Sequence, residues 1–159
     1  MKNIIRKILR EEIEDDLSWM KNNSISGEEL EELIRRTGST SIPFDRVSGY
    51  LDLGKTSIKD LGNLQTVEGN LYLYGTRIQS LGNLQTVGGN LNLGGTPIQS
   101  LGNLQTVGGY LNLGETPIQS LRNLETVGDY LNLGQTPISK KYSEEEIRQM
   151  IQVGGSIYL

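Results

Sequence analysis

The stretch IQSLGNLQTVGGNLNLGGTPIQSLGNLQTVGG, which runs from Ile78 to Gly109, decides the fold of this chain. Its first twelve letters return unchanged at Ile98, 20 residues later. From Leu51 to Tyr130 every cycle of 20 residues follows the pattern L-x-L-x-x-T-x-I-x-x-L-x-N-L-x-T-V-x-x-x. A fixed period of this length indicates stacked repeats, in which each cycle is one coil of the chain.

The apolar columns of the repeat predict the form of each coil. The two leading Leu positions lie two residues apart, which is the period of a β-strand. In the second half of the cycle the apolar spacing is three, which favours a 3₁₀ turn or a single helical turn. We therefore predict an α/β fold, a right-handed parallel-β solenoid of about six strands whose return segments are short 3₁₀ or other turns.

A single coil cannot fold alone. It offers about six apolar side chains, each worth roughly 1.5–3 kcal/mol when fully buried. Ordering its 20 residues costs on the order of 1.5 kcal/mol per residue, which is more than this burial supplies. Stacked coils bury each column against the same column above and below, with parallel strands about 4.8 Å apart.

Residues 1–48 lie before the repeat and predict a helical N-terminal cap over the open edge of the first coil. Ile5, Leu9, Ile13 and Leu17 recur every fourth residue, which indicates an amphipathic helix at about residues 3–22. Ser26 and Glu29 form a capping-box pattern and place a second helix at about residues 27–36.

Residues 49–159 form the predicted repeat domain, including its altered last coil. The segment VGGSIYL at Val153–Leu159 matches VGGYLNL at Val107–Leu113, but it comes one period plus six residues after Val127. The added length carries another capping-box pattern, Ser143 with Glu146. We expect a helix at about residues 144–152 and a final strand at about residues 156–159.

The coils resemble leucine-rich repeats, and the phrase L-x-N-L-x-T-V-x-G-x-L-x-L is similar to the repeats of receptor L domains. The resemblance covers about residues 47–139 and the final strand, and it implies a leucine-rich-repeat solenoid. This chain has Thr where the usual repeat has Asn, and it has Glu or Gly where the usual repeat has a further Leu. The opening MKNIIRKILREE is similar to the starts of proteins from tailed phages and marine metagenomes.

The composition of the 159 residues excludes several classes of function. The chain has no His, no Cys and a formal net charge of −4. Without His and Cys there is no Ser-His-Asp triad, thiolate nucleophile, disulfide framework or usual Cys/His zinc site. The negative net charge does not favour binding to the phosphates of nucleic acid. No apolar run is long enough to span a membrane. We therefore expect no enzymatic activity and no cofactor, metal or nucleic-acid partner.

Side chains that point outward from the predicted strands form two adjacent columns, which we call the Tyr/Asn face. Arg77 and Glu115 bracket 37 residues without any charge, and Tyr74 lies beside the face. Tyr and Asn combine flat amphipathic area with adaptable hydrogen bonding, as in many paratopes. Alternatively, the same residues stack as ladders that stabilise only the solenoid. The candidate partner-binding residues are Tyr50, Asp52, Asn70, Tyr72, Asn90, Asn92, Tyr110, Asn112, Tyr130, Asn132 and Tyr158.

Small polar columns and a glycine column mark the turns. We expect the Thr columns and the Asn column to form hydrogen bonds that satisfy the backbone at the turns. We expect the glycine column to supply a special turn dihedral. That glycine column comprises Gly54, Gly94, Gly114 and Gly134.

The predicted function is a non-enzymatic interaction module that binds a protein, or alternatively a glycan, through the Tyr/Asn face. The competing hypothesis is a structural or assembly component, for example of a phage virion, docked through its N-terminal helices. The basic N-terminal segment is also compatible with contact to an anionic membrane or with oligomerisation. It is not a signal peptide, because Arg6, Lys7 and Arg10 interrupt any apolar core. We expect a cytoplasmic or virion-associated location.

Overall fold

The computed structural model describes residues 23–159. The predicted helix at about residues 3–22 lies outside the described residues. The described chain is α/β, with two parallel sheets of short strands that recur about every 20 residues in a solenoid-like repeat. We number the coils 1 to 5 from their first residues, Leu51, Leu71, Leu91, Leu111 and Leu131.

Sheet 2 is the predicted sheet, with six parallel strands in chain order. Leu91 lies opposite Leu111, and the longer last step brings Ile157 opposite Leu131. The Leu columns specify this register, because a slip of one residue would turn every Leu outward. The strands are β3 (Leu51–Asp52), β5 (Leu71–Tyr72), β7 (Leu91–Asn92), β9 (Leu111–Asn112), β11 (Leu131–Asn132) and β13 (Ile157–Tyr158).

Sheet 1 has seven strands among the described residues and adds a second sheet to the predicted return segments. The predicted turn is present, since the Leu84 amide donates to the Leu81 carbonyl at 3.1 Å, but the chain then forms a second strand at each Thr-Val pair. A strand here bonds to the neighbouring coil, as when the Gly88 N–H donates to the Val67 carbonyl at 2.8 Å. A 3₁₀ turn would bond only within its own coil. The strands are β1 (Ser24–Ser26), β2 (Arg46–Ser48), β4 (Thr66–Val67), β6 (Thr86–Val87), β8 (Thr106–Val107), β10 (Thr126–Val127) and β12 (Gln152–Val153).

The core is a continuous stack of the apolar columns. The Leu, Ile and Val side chains of the repeat lie buried from one end of the solenoid to the other. One threonine column is buried with them, and each of its hydroxyls donates at 2.7 Å to the Leu carbonyl three residues earlier. This bond confirms the turn role predicted for the column. Its members are Thr76, Thr96, Thr116 and Thr136.

Close approach of the coils explains much of the glycine content. A Cβ atom on Gly108 would lie 2.1 Å from the Gly88 carbonyl oxygen of the preceding coil. Real Cβ atoms do not come so close to an oxygen, so a larger residue would force the two backbones apart and weaken the ladder.

A second glycine column, Gly54, Gly94, Gly114 and Gly134, is predicted to supply a special turn dihedral, and this prediction is wrong. The positive φ angles fall one residue later, and close packing explains the glycines themselves. A Cβ on Gly94, for example, would lie 2.7 Å from the Asn112 side-chain nitrogen. The residues with positive φ at this turn are Lys55, Gly75, Gly95, Glu115 and Gln135.

The corner segments lie between the two strands of a coil, at residues 59–63, 79–83, 99–103 and 119–123. The first bonds to residues 40–42, and the second and third bond to each other. The Gln99 and Asn103 main-chain amides donate to the Gln79 and Gly82 carbonyls at 2.8 and 3.0 Å. Within residues 23–159, the Asn83 main-chain amide has no such acceptor, although residues 79–83 and 99–103 are identical. The Asn83 side chain instead donates to the Gly62 carbonyl at 3.1 Å. The ladder is therefore closed between coils 2 and 3 and open between coils 1 and 2.

Among residues 23–159 two helices pack against the stack, and each begins with its predicted capping box. Helix α1 spans Gly27–Thr37, and the Ser26 hydroxyl accepts a hydrogen bond from the Glu29 amide at 3.3 Å. Helix α2 spans Glu144–Met150 and begins with the same arrangement at Ser143 and Glu146. Both helices contribute apolar side chains to the core, namely Leu30, Leu33, Ile34 and Ile147.

Charged side chains of both helices bond to the main chain of strands at the ends of the sheets. The Glu31 carboxylate accepts from the Asp52 N–H, and Arg35 donates to the Asp52 carbonyl at 3.3 Å. At the other end Arg148 donates to the Val153 carbonyl at 3.1 Å and the Gly155 carbonyl at 2.8 Å. These bonds satisfy backbone groups at the outer edges of the two sheets of the described residues.

Gly82 and Gly102 offer a matched test of the corner geometry. Their φ angles are +57° and +58°, so alanine at either position carries the same left-handed penalty, roughly 1–2 kcal/mol. A Cβ on Gly102 would also lie 2.4 Å from the Gly82 carbonyl oxygen, whereas a Cβ on Gly82 meets nothing within 4 Å. We expect Gly102→Ala to lower the free energy of unfolding by at least about 1 kcal/mol more than Gly82→Ala, measured by urea denaturation. Equal losses would contradict the alternation of closed and open corners.

Candidate interaction surface

All eleven predicted face residues lie on the strands of sheet 2 or directly before them. Tyr50 and Tyr158, near the two ends of the sheet, are 46% and 54% exposed. The other nine are half-buried. Because the strands pair in register, each outward column becomes a row of side chains across the sheet.

The tyrosine rings of these two rows contact one another. Tyr110 and Tyr130 stack with centroids 4.8 Å apart and an angle of 10° between their planes. Tyr130 meets Tyr158 edge to face at 5.7 Å, and Tyr50 meets Tyr72 edge to face at 5.4 Å. The stacked spacing equals the usual separation of adjacent strands, so the strands themselves bring these two rings together.

The surroundings of three tyrosines of the face raise the pKa values of their phenols. Partial burial and the Asp52 carboxylate raise the pKa of Tyr50 to about 12. Partial burial and the Tyr72 hydroxyl raise the pKa of Tyr110, and partial burial and the Asp129 charge raise that of Tyr130.

The asparagines of the face form ladders. The Asn112 side-chain nitrogen donates to the Asn92 side-chain oxygen at 3.0 Å, and Asn132 donates to Asn112 at 2.9 Å. In the neighbouring column the Asn70 and Asn90 oxygens accept main-chain amides of the next strand at 2.8 and 3.0 Å. The side-chain oxygens of these residues are therefore already engaged within the solenoid.

The turn glycines add a second bond to the same oxygens. The Gly94 amide donates to Asn92 at 3.1 Å and the Gly114 amide donates to Asn112 at 3.0 Å. Each of these two oxygens thus accepts two hydrogen bonds, which uses both of its lone pairs. The ladder hypothesis accounts for the side-chain oxygens of the asparagines, whereas the tyrosine rings and hydroxyls lie outside this ladder.

Tyr74 belongs to the same surface, although its sequence position places it beside the predicted columns. It is 37% exposed, and its ring covers Gly54. A Cβ atom added to this glycine would lie 2.4 Å from two carbons of the Tyr74 ring. Tyr74 takes the place that glycine holds in coils 1, 3, 4 and 5, and this departure from the repeat is the signal that singles it out.

A cleft of about 650 Å³ opens between coils 3 and 4 at the corner segments. Here Arg122, with φ 30°, replaces the corner glycine of coils 1, 2 and 3. The Asn123 side chain donates to the Gly102 carbonyl at 2.9 Å, as Asn83 does at the other open corner. The walls are polar and contain Gln99, Ser100, Gln119, Ser120 and Arg122.

Within residues 23–159, no group of three or more Asp or Glu side chains is arranged to hold a metal ion. Neither α1 nor α2 is long and apolar enough to cross a bilayer. Comparison with protein-family models, with curated proteins and with solved structures found no match for this chain.

The raised tyrosine pKa values predict that alkaline pH destabilises the fold. In the unfolded chain tyrosines lose their protons near pH 10. Above that pH the folded state retains protons that the unfolded state has released, so the free energy of unfolding falls as pH rises from about 10 through the folded-state pKa values. We expect urea midpoints between pH 9 and 12 to fall less steeply in Tyr110→Phe/Tyr130→Phe, which keeps the stacked rings. An unchanged slope would show that these two phenols are not perturbed in the folded state.

Proposed function

We propose that the chain is a non-enzymatic interaction module that binds a protein partner through the tyrosines of the Tyr/Asn face. The observation that carries this proposal is the row of contacting tyrosines on one side of sheet 2. Tyrosine is enriched at the energetic centres of protein interfaces, because its ring buries apolar area while its hydroxyl forms a hydrogen bond.

Rigidity supports the proposal. Tyr72, Tyr110 and Tyr130 lie on or directly before short strands that are bonded on both sides, and neighbouring rings contact one another. Ordering such a surface before binding lowers the entropy that association costs. The asparagine ladders contribute to the same end, because they fix the backbone on which the tyrosines stand.

A protein is favoured over a glycan by the arrangement of the rings. A sugar ring stacks on an open aromatic face, whereas Tyr110 and Tyr130 cover one face of each other and Tyr50 and Tyr72 pack edge to face. The side-chain oxygens of Asn92 and Asn112, which would recognise sugar hydroxyls, already accept two bonds each.

The proposal includes the two helices as caps of a right-handed, leucine-rich-repeat-like solenoid. Packing of Leu30, Leu33 and Ile34 into the core supports the N-terminal cap, and the bonds from Arg148 to two outer carbonyls support the C-terminal one. Right-handed crossovers are the rule for parallel strands in one sheet.

Capture of the partner from a lysate of the native host tests the proposal. Tyr110→Asn/Tyr130→Asn removes the stacked rings and installs the residue that this column already holds at Asn70 and Asn90, so the ladder is preserved. We expect this variant to lose at least about tenfold in affinity for the captured partner, as the loss of central aromatic residues usually does.

The control variant is Gln85→Ala/Gln105→Ala, two exposed side chains that flank the strands of sheet 1, and it should capture the partner normally. Circular dichroism should show both variants folded. Normal capture by the tyrosine variant would refute the proposal. If capture is then lost on deletion of residues 1–22, the alternative role of an assembly component docked through the N-terminal segment takes its place.

A further inference from the structure

Three tyrosines gather around one carboxylate at the first strand of sheet 2. The Tyr50 hydroxyl donates to Asp52 Oδ2 at 3.2 Å, and the Tyr50 ring packs edge to face against Tyr72. The Tyr74 ring lies over Gly54. A Cβ atom added to this glycine would lie 2.4 Å from the ring and 2.9 Å from Asp52 Oδ1. We call Tyr50, Asp52, Tyr72 and Tyr74 the acidic tyrosine cluster.

The solenoid does not require the charge of Asp52. Its Oδ1 accepts the Gly54 amide at 2.7 Å, and in coils 3, 4 and 5 an Asn oxygen accepts the equivalent glycine amide at 3.1, 3.0 and 2.9 Å. Asparagine therefore performs the turn role equally well. Coil 1 departs from the repeat by placing a negative charge where exposed aromatic rings meet.

No contact neutralises this charge within residues 23–159. Arg46 pairs with Glu68, and Arg148 pairs with Glu144. Arg35 lies nearby, but it donates to the main-chain carbonyl of Asp52. The Glu31 carboxylate is a second negative group at the same place, and it accepts the Asp52 amide. Partial burial raises the pKa of Tyr50 most, and the Asp52 and Glu31 carboxylates raise it further.

We propose that the acidic tyrosine cluster binds a cationic side chain, a guanidinium or an ammonium group, of the protein partner. Aromatic faces attract cations through their quadrupole, and a carboxylate beside them adds direct charge and hydrogen-bond acceptance. Tyr50 and Tyr74 are exposed enough for such a group to reach them. This inference rests on the proposed function only for the statement that the cation belongs to a protein.

The test uses N-acetyl-arginine amide as the probe. The control ligand is N-acetyl-citrulline amide, which is neutral and nearly identical in shape. Titration of the full chain is followed by ¹H–¹⁵N correlation spectra at low salt, with the Gly54 amide as reporter because it bonds to Asp52. We expect a saturable shift with the arginine probe and none with the citrulline probe at equal concentrations.

Asp52→Asn should weaken binding of the arginine probe about two- to fivefold, the range of an ion pair in partial contact with water. Its control is Asp129→Asn, which removes a carboxylate near Tyr130 and should leave binding unchanged. Equal binding of both probes, or undiminished binding to Asp52→Asn, would overturn the inference. A positive probe result together with normal capture by Tyr110→Asn/Tyr130→Asn would instead refute the proposed function and leave the cation site standing.

Discussion

The main-chain hydrogen bond from one coil to the next is the interaction on which the rest of this structure depends. On sheet 2 the amides donate forward along the chain, as from Leu91 to the Tyr110 carbonyl at 2.9 Å. On sheet 1 they donate backward, as from Gly108 to the Val87 carbonyl at 2.8 Å. These bonds hold the coils at strand separation, which is the distance at which Leu buries Leu, Asn bonds Asn and Tyr stacks on Tyr. Glycine recurs where that distance leaves no room for a Cβ atom.

The separation between adjacent coils also gives asparagine and tyrosine different roles on the Tyr/Asn face. Asparagine is short, so its amide reaches the next coil and its oxygen returns to its own turn, and both bonds stabilise the stack. Tyrosine is long, so its ring passes the ladder and contacts the next ring above it. Stability and the proposed recognition therefore occupy the same two columns, and a column position presents a ring in place of a ladder bond when Asn is replaced by Tyr. Asp52 shows a further change, in which the turn bond is kept and a charge is added.

Much of this fold follows from the sequence, because a repeated column can be buried only by stacking. The Leu register of sheet 2 and both capping boxes were predictable on that basis, as were the hydrogen bonds of Thr76 and its counterparts. Sheet 1 was not predictable. Apolar residues spaced by three fit a 3₁₀ turn as well as a strand that follows a turn, and only hydrogen bonds to the neighbouring coil distinguish the two. The glycine at position 94 was assigned to the wrong cause for a similar reason. The candidate face residues were found from their alternation along the strands, but their ring contacts and the role of Tyr74 depend on distances between coils.

Native-state hydrogen exchange at two asparagine amides tests most directly the claim that bonds between coils, rather than local sequence, determine the structure. Asn83 and Asn103 lie in identical twelve-residue segments, so their intrinsic exchange rates are the same. The Asn103 amide donates to the Gly82 carbonyl at 3.0 Å, and the Asn83 amide has no such acceptor within the described residues. Strong protection of Asn103 with rapid exchange of Asn83 is the predicted result. Equal protection of the two amides would contradict it.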